Sequence, residues 1–322
     1  MRRFIQLLLI ISVFFGFISL SQAQEFPSKP IKIIVPFGPG GIADLTARTV
    51  AQKMSELMGQ GVIVENRPGA GGIAAAEAVV KSDPDGYTLL LMSNANAISV
   101  GLFNKLPFDT LRDLTPISTL GYFDIAIIVS SQSPFNTMND LLAFSKANPG
   151  KLNLGSINIG STQNLAAELF KTQTHLDMQV IPFNGTAAVI TAVRGGQIDV
   201  ATEILGPIVP QVNSKAVRIL AVTGAKRSPF YPDIPTAKEL GIKEFTASSW
   251  NALAAPAKTP EPIIMKLNNA IVTALKSPDV KARLSELYMD PQSSSPEDAK
   301  KFLSQEINRW SKIIQQANIA KQ

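Results

Sequence analysis

Apolar and polar positions along the chain repeat one unit several times. Ile31 to Val35 is a short β-branched apolar run that reads as a buried strand. Pro36 ends it, and Gly38, Gly40 and Gly41 make a loop that backbone can bring close to a ligand, with Phe37 beside it as a pocket wall. Ala43, Ala47, Val50, Ala51, Met54 and Met58 then recur at helical spacing, and Gly59 and Gly61 close that helix before a second strand, Val62 to Val64. Tyr87 to Met92 is continuously apolar, as in a strand buried on both faces of a parallel sheet. It runs out into Ser93-Asn94-Ala95-Asn96, a polar loop at the carboxyl end of a strand. The unit returns with Leu152 to Leu154, the polar loop Gly155 to Thr162, and the helical stripe Leu165, Ala166, Leu169 and Phe170. A third copy follows: Val180 to Phe183, then Asn184-Gly185-Thr186, then a helix to Val193. Thr186 reads most simply as the N-cap of that helix. Gly195-Gly196 closes it, and Ile198 to Thr202 returns as a strand.

Between these units, Phe123 to Ser130 and Arg218 to Thr223 read as strands, and Thr137-x-x-Asp140 resembles a capping box. Thr259-Pro260, Ser277-Pro278 and Ser295-Pro296 each place an N-cap residue before a proline, which predicts three helices ending near Ala317. Trp310 falls on the apolar face of the last one.

A strand, a glycine loop and a helix N-terminus together make an anion site, because unpaired N–H groups and the helix dipole point at one spot. Asp44, in the first helical turn, is placed either to complement the dipole or to touch a ligand. The first loop has two readings. Gly38-Pro-Gly40-Gly-Ile-Ala43 satisfies a dinucleotide-binding pattern, with Glu65 where a ribose-binding acid would stand. The other reading is a loop that receives a small carboxylate directly.

Composition narrows this choice. The chain has 322 residues, no cysteine and one histidine, His175, which reads as a surface-loop residue. Thiolate nucleophiles, Cys-ligated metals, multi-histidine metal sites and Ser-His-Asp triads therefore have almost nothing to draw on, and neither a metal nor a cofactor is expected. Arg2 and Arg3 precede an apolar run from Phe4 to Leu20 and then Ser21-Gln22-Ala23, which predicts a cleaved signal peptide over residues 1–23 and a periplasmic protein starting near Gln24. An uncleaved anchor is the competing reading of that run. A nicotinamide enzyme would lack its cofactor pool outside the cytoplasm. The net charge of +5 comes without a basic block interleaved with aromatics, so no nucleic-acid partner is implied.

Seven stretches then fall in register with one family: Pro36 to Asp44, Val64 to Gly72, Asp83 to Leu90, Asn148 to Ser156, Gly195 to Asp199, Ala221 to Ser228 and Asp233 to Gly241. From about Pro27 to the C-terminal helix, the chain resembles the Bug-type extracytoplasmic solute receptors, the substrate-binding proteins of tripartite tricarboxylate transporters. The resemblance implies an α/β type II periplasmic binding protein fold, with two α/β lobes joined by crossing strands and a ligand crevice between them. Residues 24–124 and 249–322 would form one lobe and residues 125–248 the other. It also implies a small carboxylated ligand held largely by loop backbone. By position, the first-lobe loop falls on Phe37, Gly40, Gly41 and Ala43, and the second-lobe loop on Ser156, Asn158, Gly160, Ser161 and Thr162.

Asp44, Ser93, Asn94, Gly185, Thr186 and Glu203 complete the candidate ligand site. Glu203 follows the strand Ile198 to Thr202, where the family commonly has an aspartate. Facing the ligand, it would favour an ammonium or hydroxyl donor; the alternative is a partner for Lys or Arg at the lobe edge. The chain departs from the family at Asn94-Ala-Asn96, Gln163-Asn164 and Phe183-Asn184, which bears on ligand identity. The expected function is a non-enzymatic, monomeric receptor that binds a carboxylate or amino acid for a membrane permease. A periplasmic sensor subunit for a two-component system and a dinucleotide-dependent oxidoreductase are the alternatives.

Overall fold

The computed structural model describes residues 26–69 and 72–322. The expected leader over residues 1–23, with its cleavage point near Gln24, lies outside the described residues, as does part of the glycine loop Asn66 to Gly72. The first half runs β1 (Ile31–Val35), α1 (Ile42–Met58), β2 (Val62–Asn66), α2 (Ile73–Val80), β3 (Thr88–Ser93), α3 (Asn94–Leu102) and the long β4 (Leu114–Ser130). The second repeats the alternation as α4 (Met138–Ala147), β5 (Leu152–Ile157), α5 (Thr162–Thr174), β6 (Met178–Phe183), α6 (Thr186–Arg194), β7 (Val200–Ile204), α7 (Leu205–Asn213) and β8 (Val217–Val222). β9 (Ser248–Pro256), α8 (Glu261–Lys276), α9 (Pro278–Ser285), β10 (Met289–Asp290) and α10 (Pro296–Gln316) close the chain.

The strands join in the order β2-β1-β3-β9-β4-β7-β5-β6, with β8 and β10 attached to β4. β1 is parallel to β2 and β3 at one end, and β5 is parallel to β6 and β7 at the other. Between these triplets lie β9 and β4, antiparallel to each other and to their neighbours β3 and β7. β4 makes the crossing: Leu114 to Asp124 register with β9, whereas from Ile125 onward the strand pairs with β7 and β8. Each parallel triplet carries helices over a core of its own. Ile31, Ile33, Val35, Val50, Met54 and Leu267 share one cluster, and Val189, Val193, Ile198, Ile208 and Ile219 share another.

Three sequence readings are corrected here. The strand read as Phe123 to Ser130 begins nine residues earlier, at Leu114. Pro116 and Gly121 disguise that first half as a loop, and the pairing accommodates them with register shifts at Pro116/Ser118 and Thr119/Gly121. The polar stretch after β3 is a helix rather than a loop. Ser93 Oγ accepts from the Ala95 amide at 3.3 Å, and Asn96 Oδ1 accepts from the Ser93 amide at 3.0 Å. Such reciprocal capping starts a helix without any apolar signal. Of the three Ser/Thr-Pro pairs, Ser295 alone caps with its side chain, accepting from the Asp298 amide at 3.0 Å. The helices themselves form as expected, and Trp310 is fully buried.

Candidate functional site

The two glycine loops are built alike, which the order of side chains in each explains. Gly40 and Gly160 both have φ of +80°, the left-handed region that side chains disfavour. Four residues on, a side chain folds back to each: Asp44 Oδ2 accepts from the Gly40 amide at 2.9 Å, and Asn164 Oδ1 accepts from the Gly160 amide at 3.2 Å. The braces continue inward. Asp44 also accepts from Arg48 Nε at 3.0 Å and Asn66 Nδ2 at 2.8 Å, and Asn164 Nδ2 donates to Ser156 Oγ at 3.2 Å. Burial of Asp44 works against its charge, but the bonds from Arg48, Gly40 and Asn66 outweigh it and hold the carboxyl below its ordinary range. With both glycine amides occupied by the protein, the donors left for a ligand are the first-turn amides of α1 and α5.

Those helix starts face one cavity of about 420 Å³. It is lined by Gly41, Ile42 and Ala43 at the start of α1, and by Ser93, Asn94 and Ala95 at the start of α3. Gly160 to Gln163 at the start of α5 and Thr186 at the start of α6 complete the rim, with Ile204 and Pro207 at α7. Five helix N-termini therefore converge on it, each bringing the positive end of a dipole. Phe37, Phe123 and Ile157 form apolar walls, and Ser249 and Asn251 reach it from β9. Among the described residues, no charged side chain lines it. Chemically, the arrangement accepts an anion through neutral dipoles around an apolar body. Among the described residues there is also no group of three His, Asp or Glu side chains that could hold a metal ion.

The structure brings Phe37, Gly41, Ala43, Ser93, Asn94, Gly160, Ser161, Thr162 and Thr186 together on the cavity wall. It does not bring the other candidates there. Gly40, Asp44 and Ser156 belong to the braces behind the loops. Asn158 is exposed and takes the Ser161 amide on its carbonyl at 3.0 Å. Gly185, rather than Thr186, is the N-cap of α6. Thr186 is the first helical residue instead, and its hydroxyl donates to Glu203 Oε2 at 3.0 Å.

Glu203 is fully buried behind that wall, in β7 opposite Ala126. Its Oε2 also accepts from Gln163 Nε2 at 3.4 Å and the Ile204 amide at 3.3 Å, while Oε1 has no partner among the described residues. The expected alternative, a lysine or arginine partner, is not found among them either: its hydrogen bonds come from neutral groups. Burial pushes its carboxyl up to about 7 despite those bonds. Glu65, the acid of the dinucleotide reading, is instead paired with Lys32 at 2.7 Å and Arg67 at 3.2 Å.

Sequence reasoning missed Ser249 and Asn251. Their signal was present as polar positions in Ser248-Ser-Trp-Asn251, directly ahead of the apolar run that continues β9. His175 is exposed and ends α5 in a left-handed conformation, as a surface-loop residue would.

Comparison with known proteins matches residues 46–319 to the family described as tripartite tricarboxylate transporter family receptor. Protein BugT of Bordetella pertussis is 34% identical over 316 residues, covering 97% of each chain. Among solved structures, the periplasmic binding protein BugD superposes with a TM-score of 0.78 at 29% identity, over 92% of this chain and 100% of its own. R. palustris Rpa4515 with adipate superposes with a TM-score of 0.82 at 31% identity, over 92% and 100% of the two chains.

Proposed function

This chain belongs to the tripartite tricarboxylate transporter family of receptors, and we propose that it is the periplasmic receptor that captures a small carboxylate between its two lobes and hands it to a membrane permease of the tripartite tricarboxylate type. The family is one of solute-binding receptors and not of enzymes. The observation that carries the reading is the convergence of helix N-termini from both halves of the sheet on one uncharged cavity. A carboxylate presents only acceptors, and first-turn amides present only donors. Each charge-assisted bond of this kind contributes about 1.5–3 kcal/mol, so a few from each side support micromolar binding, about −8.2 kcal/mol, after ordering costs. The adipate on the Rpa4515 structure is in keeping with such cargo.

In this reading the lobes are residues 24–124 with 249–322 and residues 125–248. Supporting it, β4 changes partner at Asp124/Ile125, and β9 starts its pairing with β4 at Ser248. Closure about these two crossings would wrap the ligand.

A thermal-shift panel of mono-, di- and tricarboxylates, amino acids and aromatic acids tests the receptor reading. At a hundred times its dissociation constant, a true ligand stabilises the protein by about 2.7 kcal/mol. A panel in which no carboxylate shifts the melting temperature overturns it. Co-purification of the ligand-loaded protein with a permease of this type tests the delivery step.

A further inference from the structure

The carboxyl of Glu203 sits where three helix starts meet. Its Oε2 accepts from Gln163 Nε2 in the first turn of α5, from the hydroxyl of Thr186, the first residue of α6, and from the amide of Ile204, the N-cap of α7. Gln163, Thr186 and Ile204 all line the cavity as well. The residues that separate the carboxyl from the cavity are thus bonded directly to it, and a charge on Glu203 stands just behind the wall on which a carboxylate would rest.

The protein does not balance that charge. β7 packs against β4, β5, α5, α6 and α7. β5 and α7 carry no charged residue. On β4, Asp124 is bonded to Ser228 and Tyr122 to Thr119. On α5, Glu168 and Lys171 lie more than a turn beyond Gln163 and act on each other. Arg194 is the last residue of α6, at the opposite end from Thr186. Among the described residues only neutral donors meet the Glu203 carboxyl, and all of them meet Oε2. Oε1 is buried without a partner, so a proton has a seat there that disturbs none of the three bonds.

Two anions on either side of a buried wall oppose each other, because the interior screens them poorly. A carboxylate entering the cavity therefore favours the neutral form of Glu203. Linkage is reciprocal, so the neutral form favours the carboxylate to the same extent. Burial raises the Glu203 carboxyl to about 7, which puts the exchange of this proton within the neutral range.

We propose that Glu203 is a positioning residue that couples ligand capture to a proton: carboxylate binding and protonation of Glu203 favour each other, so binding takes up a proton and weakens as the medium turns alkaline. This rests on the receptor reading above and adds a means of regulating the same site. The sign is fixed by the geometry. Below about 7 the carboxyl is already neutral and affinity is full; as pH rises through 7, binding has to recover the lost proton and affinity falls.

The test is calorimetry with the carboxylates of the thermal-shift panel, among them acetate, adipate and citrate, in two buffers of different ionisation enthalpy. For a probe that binds, affinity is expected to fall at least about fivefold between about pH 6.5 and 8.5, with up to about one proton taken up per molecule bound. In Glu203→Gln, checked for folding by circular dichroism, the fall and the uptake are expected to vanish, whereas a proton taken by the probe itself would persist. Carbon NMR of the Glu203 carboxyl, assigned through its backbone, gives a readout in the wild type that does not depend on the variant folding: its titration midpoint is expected to move upward when the probe is added. Affinity that is flat with pH overturns the proposal and leaves the receptor reading intact. So does a pH response that survives in folded Glu203→Gln, or a carboxyl midpoint that the probe does not move. If no carboxylate of the panel binds at either pH, the receptor reading falls and this proposal falls with it.

Discussion

Thr186 Oγ1 donates to the buried carboxyl of Glu203 at 3.0 Å, so a side chain on the cavity wall hangs on a titrating group behind it. The carboxyl has an ordinary value of 4.5 and is raised to about 7 by burial in the fold. Between these values the folded protein keeps a proton that the unfolded chain has lost. Stability therefore falls as pH rises from about 4.5 to 7, and the full penalty, on the order of a few kcal/mol, is present above 7. Glu203→Gln removes the titration and keeps an acceptor for Thr186. Urea denaturation at pH 5 and pH 8 is expected to show the wild type losing stability relative to the variant at the higher pH. Parallel behaviour of the two proteins would show that Glu203 does not titrate in this range.

Asp44 acts on the site from behind the wall. Its carboxylate holds Gly40, Arg48 and Asn66, and its side chain is nearly buried. Asp44→Ala leaves the Gly40 amide without its acceptor, at a cost of about 1–3 kcal/mol, and removes one of the two acceptors of Asn66 Nδ2, the other being the Phe37 carbonyl at 3.0 Å. The variant should lose stability and ligand affinity together, with Asp44→Asn intermediate because it still offers the Gly40 amide an oxygen. The sign with pH is opposite to that of Glu203. A lowered carboxyl stabilises the fold above its unfolded value of 3.8 and loses that contribution as pH falls below it. Wild-type affinity in Asp44→Ala would show that the loop needs no brace.

Much of this was legible in the sequence, and what was not has identifiable causes. β1, α1 and the loop from Gly155 to Thr162 announce themselves by apolar period and glycine placement. α3 does not, because its first turn is specified by a Ser93–Asn96 capping exchange within a polar stretch. The first half of β4 carries Pro116 and Gly121, residues that argue against a strand unless the partner absorbs them in register shifts. At the site, residue type identified the loops but not which atoms face the ligand. Gly40 and Asp44 looked like ligand contacts, yet their polar groups satisfy each other across one helical turn. Glu203 looked like a crevice residue, and period two in β7 does not reveal that Thr186 and Gln163 cover it.

The chain's two tryptophans, Trp250 and Trp310, donate their indole N–H groups to the same oxygen, Oε2 of Glu306, at 3.1 and 2.9 Å. This ties the crossing strand β9, which carries Asn251 next to Trp250, to the C-terminal helix α10. Glu306→Ala strands two buried donors and is expected to cost roughly 2–6 kcal/mol. Because no other tryptophan contributes, its emission spectrum should change with the same substitution. Unchanged emission and an unchanged urea midpoint would exclude a structural role for the bond. In the wild type, ligand-dependent emission would report on β9 directly.

Gly41 offers the cleanest way to block the site. Gly40 and Gly160 are poor choices, since φ of +80° strains any side chain, and a Cβ at Gly160 would meet Leu102 Cδ2 at 2.4 Å. Gly41 has φ of −78°, which other residues adopt readily, and a Cβ there has only the Gly38 carbonyl within 4 Å, at 3.8 Å. As the N-cap of α1 it also lines the cavity beside the free first-turn amides. Gly41→Val should therefore fold with a loss of no more than about 1 kcal/mol, while its branches crowd the approach to those amides. Ligand affinity is expected to fall at least about a hundredfold, with Gly41→Ala lying between, as about 1.4 kcal/mol per factor of ten implies for a lost pair of charge-assisted bonds. The measurement is calorimetry on the valine variant, with its melting temperature as the folding control. A folded Gly41→Val protein that binds normally would mean the ligand does not rest on the start of α1.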